Sequence, residues 1–518
     1  MRRRPSTLRV LLVSWAVLIL GSVLWALATP ISGSPDEPAH LVKAASVVRG
    51  EFVGTATEVG HEVTVPMYVA WTHAWTCFAF NEDQPADCVP PMPGNPDDLT
   101  TSVTMAGLYN PVYYLAVGWP SLLFGDDTGI YAMRIVSSVL TTFFLAASIA
   151  LIAGWRRPVL PLVGVVAFAT PTMMWLASAV NPNALEATTA LAVITGMYTL
   201  LREKSDSRWA VVILTISAAI GVTARGLSPL WIALALLVPL LLVPFAEVVR
   251  FFRRRDVLIG AGVILLATLG SLAWTLGSNS LTSGATDPDI QIIYPGAGSS
   301  PISGFFHILV RTFEFNQQMI GMFGWMDTWA PVAVFFVYAT LIGGILAAAL
   351  VALRGRALIQ VLVLAAALVF LPAIVQAAYV TAGGYIWQGR YSLPLFALLM
   401  LAAATMLSDR WTLPDRTTVQ RSVWLLVTAI GAAHVVSFVF MLKRFAVGSA
   451  ASWGAFAQDP AWVPPLGTVG LTAAFGLFGV GVAVVGGIGL LRSARAEREQ
   501  VDADTHEGTD RETEQHAV

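Results

Sequence analysis

Residues 331–379 decide the fold of this chain, because two long apolar runs lie there almost end to end. The sequence is PVAVFFVYATLIGGILAAALVAL, then RGRA, then LIQVLVLAAALVFLPAIVQAAY. Each run is long enough as a helix to cross roughly 30 Å of hydrocarbon. Lipid offers the backbone no hydrogen-bond partners, so each run must satisfy its own amides by forming a helix. The stretch predicts a helical hairpin that crosses a membrane twice, with Arg354 and Arg356 between its two arms.

Similar apolar runs recur along the chain and predict about twelve membrane-spanning helices in all. They lie near residues 10–28, 130–154, 159–179, 184–201, 209–223, 228–246, 257–276, 331–353, 358–379, 391–408, 422–441 and 467–491. We expect an all-α polytopic membrane protein with a short N-terminus (1–9), one transmembrane domain (10–491) and a polar, disordered tail (492–518). The first run also resembles a signal peptide ending at Ala26-Leu27-Ala28, but its length favours a retained anchor.

The composition agrees with a membrane protein and excludes several other classes. Of 518 residues, 56% are hydrophobic and 12% are charged, and the formal net charge is −2. Soluble domains carry about 25% charged residues, so a soluble enzyme or a disordered chain is excluded. The absence of a basic excess also excludes a nucleic-acid partner, since phosphate backbones bind clustered Lys and Arg.

The basic residues predict the orientation of the chain. If the N-terminal arginines (Arg2 to Arg4) are cytoplasmic and the spans alternate, most basic clusters fall on the cytoplasmic side, as the positive-inside rule requires. We therefore expect a plasma (inner) membrane protein with both termini cytoplasmic and with external loops at 30–129 and 277–330. The exceptions on the external side are Lys43, Arg49, Arg134, Arg225, Arg311, Arg390, Lys443 and Arg444.

The long loop 30–129 has two further features. Its apolar stretch 112–124 is too short to span a membrane comfortably and fits an interfacial or re-entrant helix. Both cysteines of the chain, Cys77 and Cys88, lie in this loop. An external location permits oxidation, so we expect a disulfide, with two free thiols as the alternative.

Residues 34–40, with the sequence SPDEPAH, place two adjacent acids at the predicted external membrane face. One interpretation is helix capping, because Asp36 can be the N-cap and acids suit the positive end of a helix. The other is catalysis, in which Asp36 or Glu37 takes a proton from an acceptor hydroxyl. His40 lies one turn on and could orient a carboxylate or join a metal site. A metal needs more ligands than this motif supplies, so we expect no cofactor, with a divalent metal as the alternative.

Arginines at predicted membrane boundaries are the second group of candidates. Arg134, Arg225 and Arg390 are costly there unless they are paired or reach the interface, and a planar guanidinium suits phosphate. A structural carboxylate partner is the alternative for each. Acids and arginines at one membrane face together predict a lipid-phosphate substrate approached from the bilayer. The remaining substrate-binding candidates are Tyr113, which could stack on a sugar, Asp327, which could bind a sugar hydroxyl or begin a helix, and Gln388 and Tyr391 beside Arg390.

Five motifs resemble, in the same order, the bacterial membrane family called domain of unknown function 2142. They are SPDEPAH (34–40), YNPVYY (109–114), SAVNPNALE (178–186), GMFGWMD (321–327) and WQGRYSLP (387–394). That family looks like a branch of the GT-C superfamily of integral membrane glycosyltransferases. The resemblance implies a GT-C-like fold, a polyprenyl-phosphate-linked sugar donor and catalytic use of Asp36 and Glu37. The stretch Asn110-Pro111-x-Tyr113 is similar to a Pro-Pro-x-Tyr pattern, with Asn110 in place of the first proline, and Asn183 stands where relatives are expected to have Asp.

The leading hypothesis is a glycosyltransferase that moves a sugar from a polyprenyl-phosphate donor to a cell-envelope glycan or glycoconjugate on the external face. Arg390, with Arg225 or Arg134, would stabilise the phosphate leaving group. The alternatives are a transporter or flippase of a lipid-linked glycan and a non-catalytic envelope-assembly protein. A transporter needs polar residues at mid-depth, and His434 and Gln376 are rare examples in the predicted spans.

Overall fold

The computed structural model describes residues 6–205, 207–278 and 295–516. Arg2 to Arg4, on which the predicted orientation depends, and residues 279–294 of the predicted loop 277–330 lie outside the described residues. The described helices, in chain order, are α1 (Thr7–Ala28), α2 (Glu37–Val47), α3 (Met67–Ala70), α4 (Pro111–Gly118), α5 (Asp127–Ile152), α6 (Val159–Phe168), α7 (Pro171–Leu176), α8 (Pro182–Leu201), α9 (Arg208–Gly221), α10 (Ser228–Leu237), α11 (Phe245–Phe252), α12 (Arg255–Gly277), α13 (Pro301–Val310), α14 (Thr312–Gly321), α15 (Val332–Ala352), α16 (Gly355–Gly383), α17 (Leu393–Ser408), α18 (Arg416–Val447), α19 (Trp453–Gln458) and α20 (Thr468–His516). Short 3₁₀ helices lie at Trp71–Thr76, Ala86–Cys88, Trp119–Leu122, Val238–Leu242 and Gly389–Ser392. The strands are β1 (Thr55–Thr57), β2 (Gly60–Pro66), β3 (Leu99–Thr104), β4 (Met322–Phe323) and β5 (Thr328–Trp329).

Nine helices within the described ranges are long and apolar enough to cross a membrane. They are α1, α5, α8, α12, α15, α16, α17 (from Gly389), α18 and α20. Each corresponds to one of the predicted apolar runs, so the chain is a multi-pass helical membrane protein. Three other predicted spans, 159–179, 209–223 and 228–246, contain shorter helices, and the total of twelve therefore stays a prediction.

The predicted span 159–179 is divided because α6 ends before Ala169 and α7 starts at Pro171. Proline suits the first turn of a helix but cannot continue the preceding one. The carbonyl oxygen of Ala169 accepts hydrogen bonds from the Tyr338 hydroxyl at 3.2 Å and from His434 Nε2 at 3.0 Å. These two side chains satisfy the backbone group that the break leaves open.

Helix α8 forms the centre of the bundle. Every residue of its most apolar 18-residue stretch is buried, and the helix packs against α5, α9, α10 and α17. Its buried threonine hydroxyls find hydrogen-bond partners within the helix. Thr189 and Thr195, for example, donate to backbone carbonyl oxygens one turn earlier. In contrast, only 17% of the residues in the corresponding stretches of α12, α15 and α20 are buried, so these helices form the outer surface of the bundle.

The segment between α1 and α5 is more mixed than the expected loop with interfacial helices. Strands β1, β2 and β3 form a three-stranded antiparallel sheet, which the alternation of Val and Thr in 61–66 and 99–104 could have indicated. Helix α4 has eight residues, or about 12 Å of length, and is too short to span. It buries Tyr113, Tyr114 and Val117 and exposes Val112 and Leu115, as expected for an interfacial helix.

The two ends of the bundle carry different side chains. At one end, Arg157 donates to the Ser408 carbonyl oxygen at 2.8 Å and Arg202 pairs with Asp409 at 2.6 Å. At the other end lie the α1–α5 segment, Arg225 and Arg390, and we call this end the rim. Helix α20 continues to His516, whereas the composition predicts disorder from residue 492. The Ala, Glu, Arg and Gln residues of this tail are good helix formers, which accounts for the difference.

Candidate functional site

Asp36 and Arg390 meet at the rim although 354 residues separate them in the chain. Asp36 precedes α2 with φ 63° and makes no side-chain capping bond to that helix. Its carboxylate instead accepts a hydrogen bond from Arg390 Nη2 at 2.5 Å. The Asp36 side chain is 50% exposed and the Arg390 side chain 6% exposed, so the carboxylate is open to a ligand while the guanidinium is held inside the protein.

The backbone around Arg390 is held closely against α14. The Gly389 amide donates to Gln318 Oε1 at 2.7 Å, and a Cβ at Gly389 would lie 2.3 Å from the Phe315 carbonyl oxygen. Arg390 Nε and Nη1 and Gln388 Oε1 are buried without a hydrogen-bond partner among the described residues. Buried polar groups are normally paired, so these unpaired donors and this unpaired acceptor mark a place where a polar ligand can bind.

A small pocket adjoins these groups, and we call it the rim pocket. Its cavity of about 20 Å³ accommodates a water molecule. Helix α7, the end of α14 and the β4–β5 hairpin supply most of its wall. The residues that line it are Pro35, Thr172, Trp175, Leu176, Gln318, Met322, Gly324, Met326, Gln388 and Arg390.

A second guanidinium, that of Arg225, lies beside Arg390. Both stack against the Tyr391 ring, with the guanidinium carbon of Arg225 4.3 Å and that of Arg390 5.3 Å from its centroid. Arg225 Nη1 also donates to Asn183 Oδ1 at 2.5 Å and lies 3.9 Å from Glu186 Oε2. The sequence did not single out Asn183 and Glu186 as partners of Arg225, because their proximity depends on how α8 packs against the α9–α10 connection.

The other acid of the motif, Glu37, lies away from the rim pocket. It forms a two-pronged ion pair with Arg134, with Nε–Oε1 2.7 Å and Nη2–Oε2 2.5 Å, and the side chains are 0% and 1% exposed. Arg134 uses its remaining donors on the carbonyl oxygens of Ala26, Thr29 and Pro30. Because every donor of Arg134 is engaged, this pair joins α1, α2 and α5, and neither side chain is free for a substrate.

His40 and Tyr113, two predicted substrate-binding residues, are also packed inside the protein. His40 Nδ1 lies 2.7 Å from the Tyr114 hydroxyl, and burial lowers the pKa of His40 to about 3. The Tyr113 hydroxyl lies 2.8 Å from Ser137 Oγ, and burial raises the pKa of Tyr113. His40 is packed between α2 and α4 and Tyr113 between α4 and α5, and neither lines the rim pocket.

Asp327 and the loop between the two cysteines both contact Arg444. Asp327 Oδ2 accepts a hydrogen bond from Arg444 Nη2 at 2.7 Å, which occupies the carboxylate proposed to bind a sugar hydroxyl. Cys77 and Cys88 are joined by a disulfide. In the described part of the chain, no group of three or more His, Cys, Asp or Glu side chains is arranged to hold a metal ion.

Comparison with known proteins identifies the family. The family model described as "Predicted membrane protein (DUF2142)" matches residues 18–400, a range that contains Asp36, Arg225 and Arg390. The chain belongs to the DUF2142 family. No curated protein sequence matches this DUF2142 chain.

Solved structures similar to the DUF2142 chain include ArnT from Cupriavidus metallidurans. In its apo state, ArnT is 14% identical with a TM-score of 0.42, and the match covers 94% of the present chain and 78% of ArnT. In the structure bound to undecaprenyl phosphate, the identity is 14% and the TM-score 0.41, with 95% and 79% coverage.

Proposed function

We propose that this DUF2142 protein is a glycosyltransferase that moves a sugar from a polyprenyl-phosphate donor to a cell-envelope acceptor at the rim. The contact between Asp36 and Arg390 is the observation that carries the proposal. It pairs a half-exposed carboxylate with a buried guanidinium whose Nε and Nη1 have no hydrogen-bond partner among the described residues beside a pocket. A proton acceptor and an anion-binding group therefore stand next to each other, as transfer from a phosphate leaving group requires.

The reaction follows from this pair. Donor phosphate oxygens accept hydrogen bonds from Arg390 and compete with Asp36 for the guanidinium, so that the carboxylate is released. The acceptor oxygen then attacks the anomeric carbon while the bond from that carbon to the phosphate oxygen breaks. The electron pair of that bond leaves on the phosphate, which Arg390 and Arg225 stabilise, and the acceptor proton passes to Asp36.

The rim pocket sets a condition on this chemistry. In this structure it has room for a water molecule, and we expect donor binding to widen it by shifting side chains in its wall. We place the rim on the external face of the plasma membrane, where the lipid-linked donor approaches from the bilayer. The positive-inside rule supports this orientation, because Arg157 and Arg202 gather at the opposite end.

The decisive experiment compares Asp36→Asn with wild type in purified, reconstituted protein supplied with radiolabelled polyprenyl-phosphate sugars and envelope extract. We expect transfer to fall by about 10²- to 10⁴-fold, with expression and membrane insertion unchanged. Asp459→Asn is the matched control, because Asp459 is an exposed acid after α19. Full transfer by Asp36→Asn would remove Asp36 from the catalytic role.

A lipid-linked glycan transporter is the second candidate, and the break between α6 and α7 favours it. Discontinuous helices at membrane depth are typical of transporters, and His434 and Tyr338 cap the broken backbone here. Movement of a lipid-linked glycan across proteoliposomes in the absence of any acceptor would support transport. Transfer that needs an acceptor and occurs without such movement would support the transferase.

A further inference from the structure

The hairpin of β4 and β5 supplies one wall of the rim pocket. The residues between its strands, Gly324 to Asp327, form what we call the wall turn, and Gly324 and Met326 face the pocket. Gly324 and Met326 have φ 62° and 64°, a left-handed conformation that is unfavourable for a residue with a side chain such as Met. A turn of this kind persists because its surroundings hold it.

Arg444, near the end of α18, holds the wall turn from outside the pocket. Its Nη2 donates to Asp327 Oδ2 at 2.7 Å and its Nε to Thr328 Oγ1 at 3.2 Å. The side chain is 1% exposed, so these charge-assisted bonds are shielded from water. The wall turn is also tight around Asp327, because a Cβ at Gly324 would lie 2.2 Å from Asp327 Oδ1.

The same guanidinium lies within the loop closed by Cys77 and Cys88, which we call the clamp loop (residues 77–88). Three carbonyl oxygens of this loop accept hydrogen bonds from Arg444. They belong to Phe78 at 2.7 Å, Asn81 at 3.0 Å and Gln84 at 3.0 Å. The disulfide already restricts the backbone of this loop. Directing three carbonyl oxygens at one guanidinium therefore costs less backbone entropy than it would in an open loop.

The clamp loop also contacts the wall turn directly. The Phe80 and Trp325 rings meet edge to face with centroids 5.4 Å apart, and Trp325 Nε1 donates to the Ser32 carbonyl oxygen at 2.9 Å. Ser32 lies four residues before Asp36. The clamp loop, the wall turn and the chain that leads to Asp36 therefore form one connected set of contacts around the rim pocket.

We propose that Arg444 is a positioning residue that transmits the restraint of the Cys77–Cys88 disulfide to the wall turn, so that ligand binding at the rim pocket depends on this disulfide. Opening the disulfide lets the clamp-loop carbonyl oxygens move away from Arg444. Arg444 is then no longer held in one orientation, and its ion pair with Asp327 is lost. Met326 then leaves its left-handed conformation and the pocket wall moves. The part of this inference that concerns the ligand rests on the proposed function, whereas the part that concerns the wall turn does not.

The first test measures how fast hydrogen peroxide oxidises Met326, by mass spectrometry of the full-length protein in detergent. Replacing both cysteines by serine (Cys77→Ser with Cys88→Ser) and, separately, Asp327→Asn should each raise the Met326 rate several-fold. Combining all three changes should raise it no further, because both act through Arg444. Met105, which is 63% exposed, and Met400, which is 0% exposed, are internal controls for reagent strength and for general unfolding.

Two outcomes at Met326 itself would overturn the positioning role. One is a Met326 rate unchanged in both variants, and the other is two effects that multiply in the combined variant, since independent contacts would behave in that way. A rise in Met400 oxidation together with Met326 would show general loosening and would also count against it. Arg444→Lys should behave like Asp327→Asn, because an ammonium keeps the charge but cannot reach five acceptors in a fork.

The second test measures binding of undecaprenyl phosphate to the same proteins. We expect affinity to fall about 10-fold in the double cysteine variant, about 1.4 kcal/mol, and no further when Asp327→Asn is added. Equal affinity in all variants, with Met326 responding as above, would overturn the dependence of ligand binding on the disulfide. Absence of binding to the wild type would instead count against the proposed function and leave the positioning of the wall turn supported.

Discussion

At the scale of single residues, the most informative comparison is between Asp36 and Glu37. These adjacent acids pair with two arginines that lie 256 residues apart in the chain. Asp36 is half exposed beside the rim pocket, whereas Glu37 is completely buried. The sequence indicated that acids and arginines gather at one membrane face. It could not assign the partners, because the direction of each carboxylate depends on the rotation of α2 and on the φ of 63° at Asp36.

The difference between the two acids predicts opposite effects on stability. Glu37→Gln leaves the guanidinium of Arg134 buried without its counter-ion and should lower the free energy of unfolding by about 3–5 kcal/mol. Asp36→Asn removes a carboxylate that is half exposed to water, and its amide oxygen can still accept a hydrogen bond from Arg390, so it should cost less than Glu37→Gln. Thermal unfolding in detergent measures both, and equal melting temperatures would contradict this assignment.

His40 gives a prediction for pH. Its pKa is about 3 in the folded protein against 6.5 for the free side chain, so the unfolded chain binds the proton more tightly. The free energy of unfolding therefore contains a contribution from neutral His40 that is complete above pH 6.5 and is lost as the pH falls toward 3. At pH 5 the loss is about 2 kcal/mol.

The measurement for His40 is the melting temperature as a function of pH, for wild type and for His40→Asn. Asparagine is neutral at all these pH values, so its variant should lose less stability between pH 7 and pH 5. Parallel curves for the two proteins would show that another group is responsible.

At the scale of elements, the approach of the Gly389–Ser392 turn to α14 determines where Arg390 lies. The Gly389 amide bonds Gln318, and there is no room for a side chain at Gly389. The motif WQGRYSLP marked this turn in the sequence, but nothing in the sequence indicated that α14 would be its neighbour. Long-range packing of this kind follows from the complete bundle and not from local pattern.

Gly389→Ala should therefore impair the site while the bundle stays folded. Its Cβ would lie 2.3 Å from the Phe315 carbonyl oxygen, so the turn must shift and carry Arg390 away from Asp36. We expect transfer to fall at least about 10-fold, since small misplacements of a positioned group are costly. Gly343→Ala is the control, because a Cβ there meets nothing within 4 Å, and it should keep full activity.

Helix breaks show where prediction from sequence ends at this scale. Apolar length predicted the nine long helices because the bilayer requires a minimum span. The same criterion joined α6 and α7 into one predicted span, because hydropathy does not register a short break in a helix. Here Tyr338 and His434 provide the hydrogen bonds that the Ala169 carbonyl oxygen lacks at the break. The three-stranded sheet was missed for a related reason, as its strands are short and lie among polar loops.

At the scale of the whole molecule, the disulfide and the rim must face the same compartment. The clamp loop is attached to the rim through Arg444 and Asp327, and the proposed orientation makes this compartment external. A membrane-impermeant reductant followed by an impermeant maleimide should therefore label Cys77 and Cys88 in intact cells. Labelling only after permeabilisation would reverse the orientation.

A cysteine at the opposite end provides the control for that experiment. Arg410 is exposed and directly follows Asp409, the partner of Arg202. In a background without native cysteines, Arg410→Cys should react with the impermeant maleimide only after permeabilisation. The two results together would fix the sidedness of the bundle.

The enclosure of α8 has a consequence for biogenesis. The most apolar 18 residues of α8 have a mean hydropathy of 1.4, the lowest among the nine long helices, and all of them are buried. The helix also carries Asn183 and Glu186 near its start, polar groups that resist transfer from the translocon into lipid. Helix α8 is therefore poorly suited to leave the translocon alone, and its integration should be coupled to that of α5 before it and α9 after it.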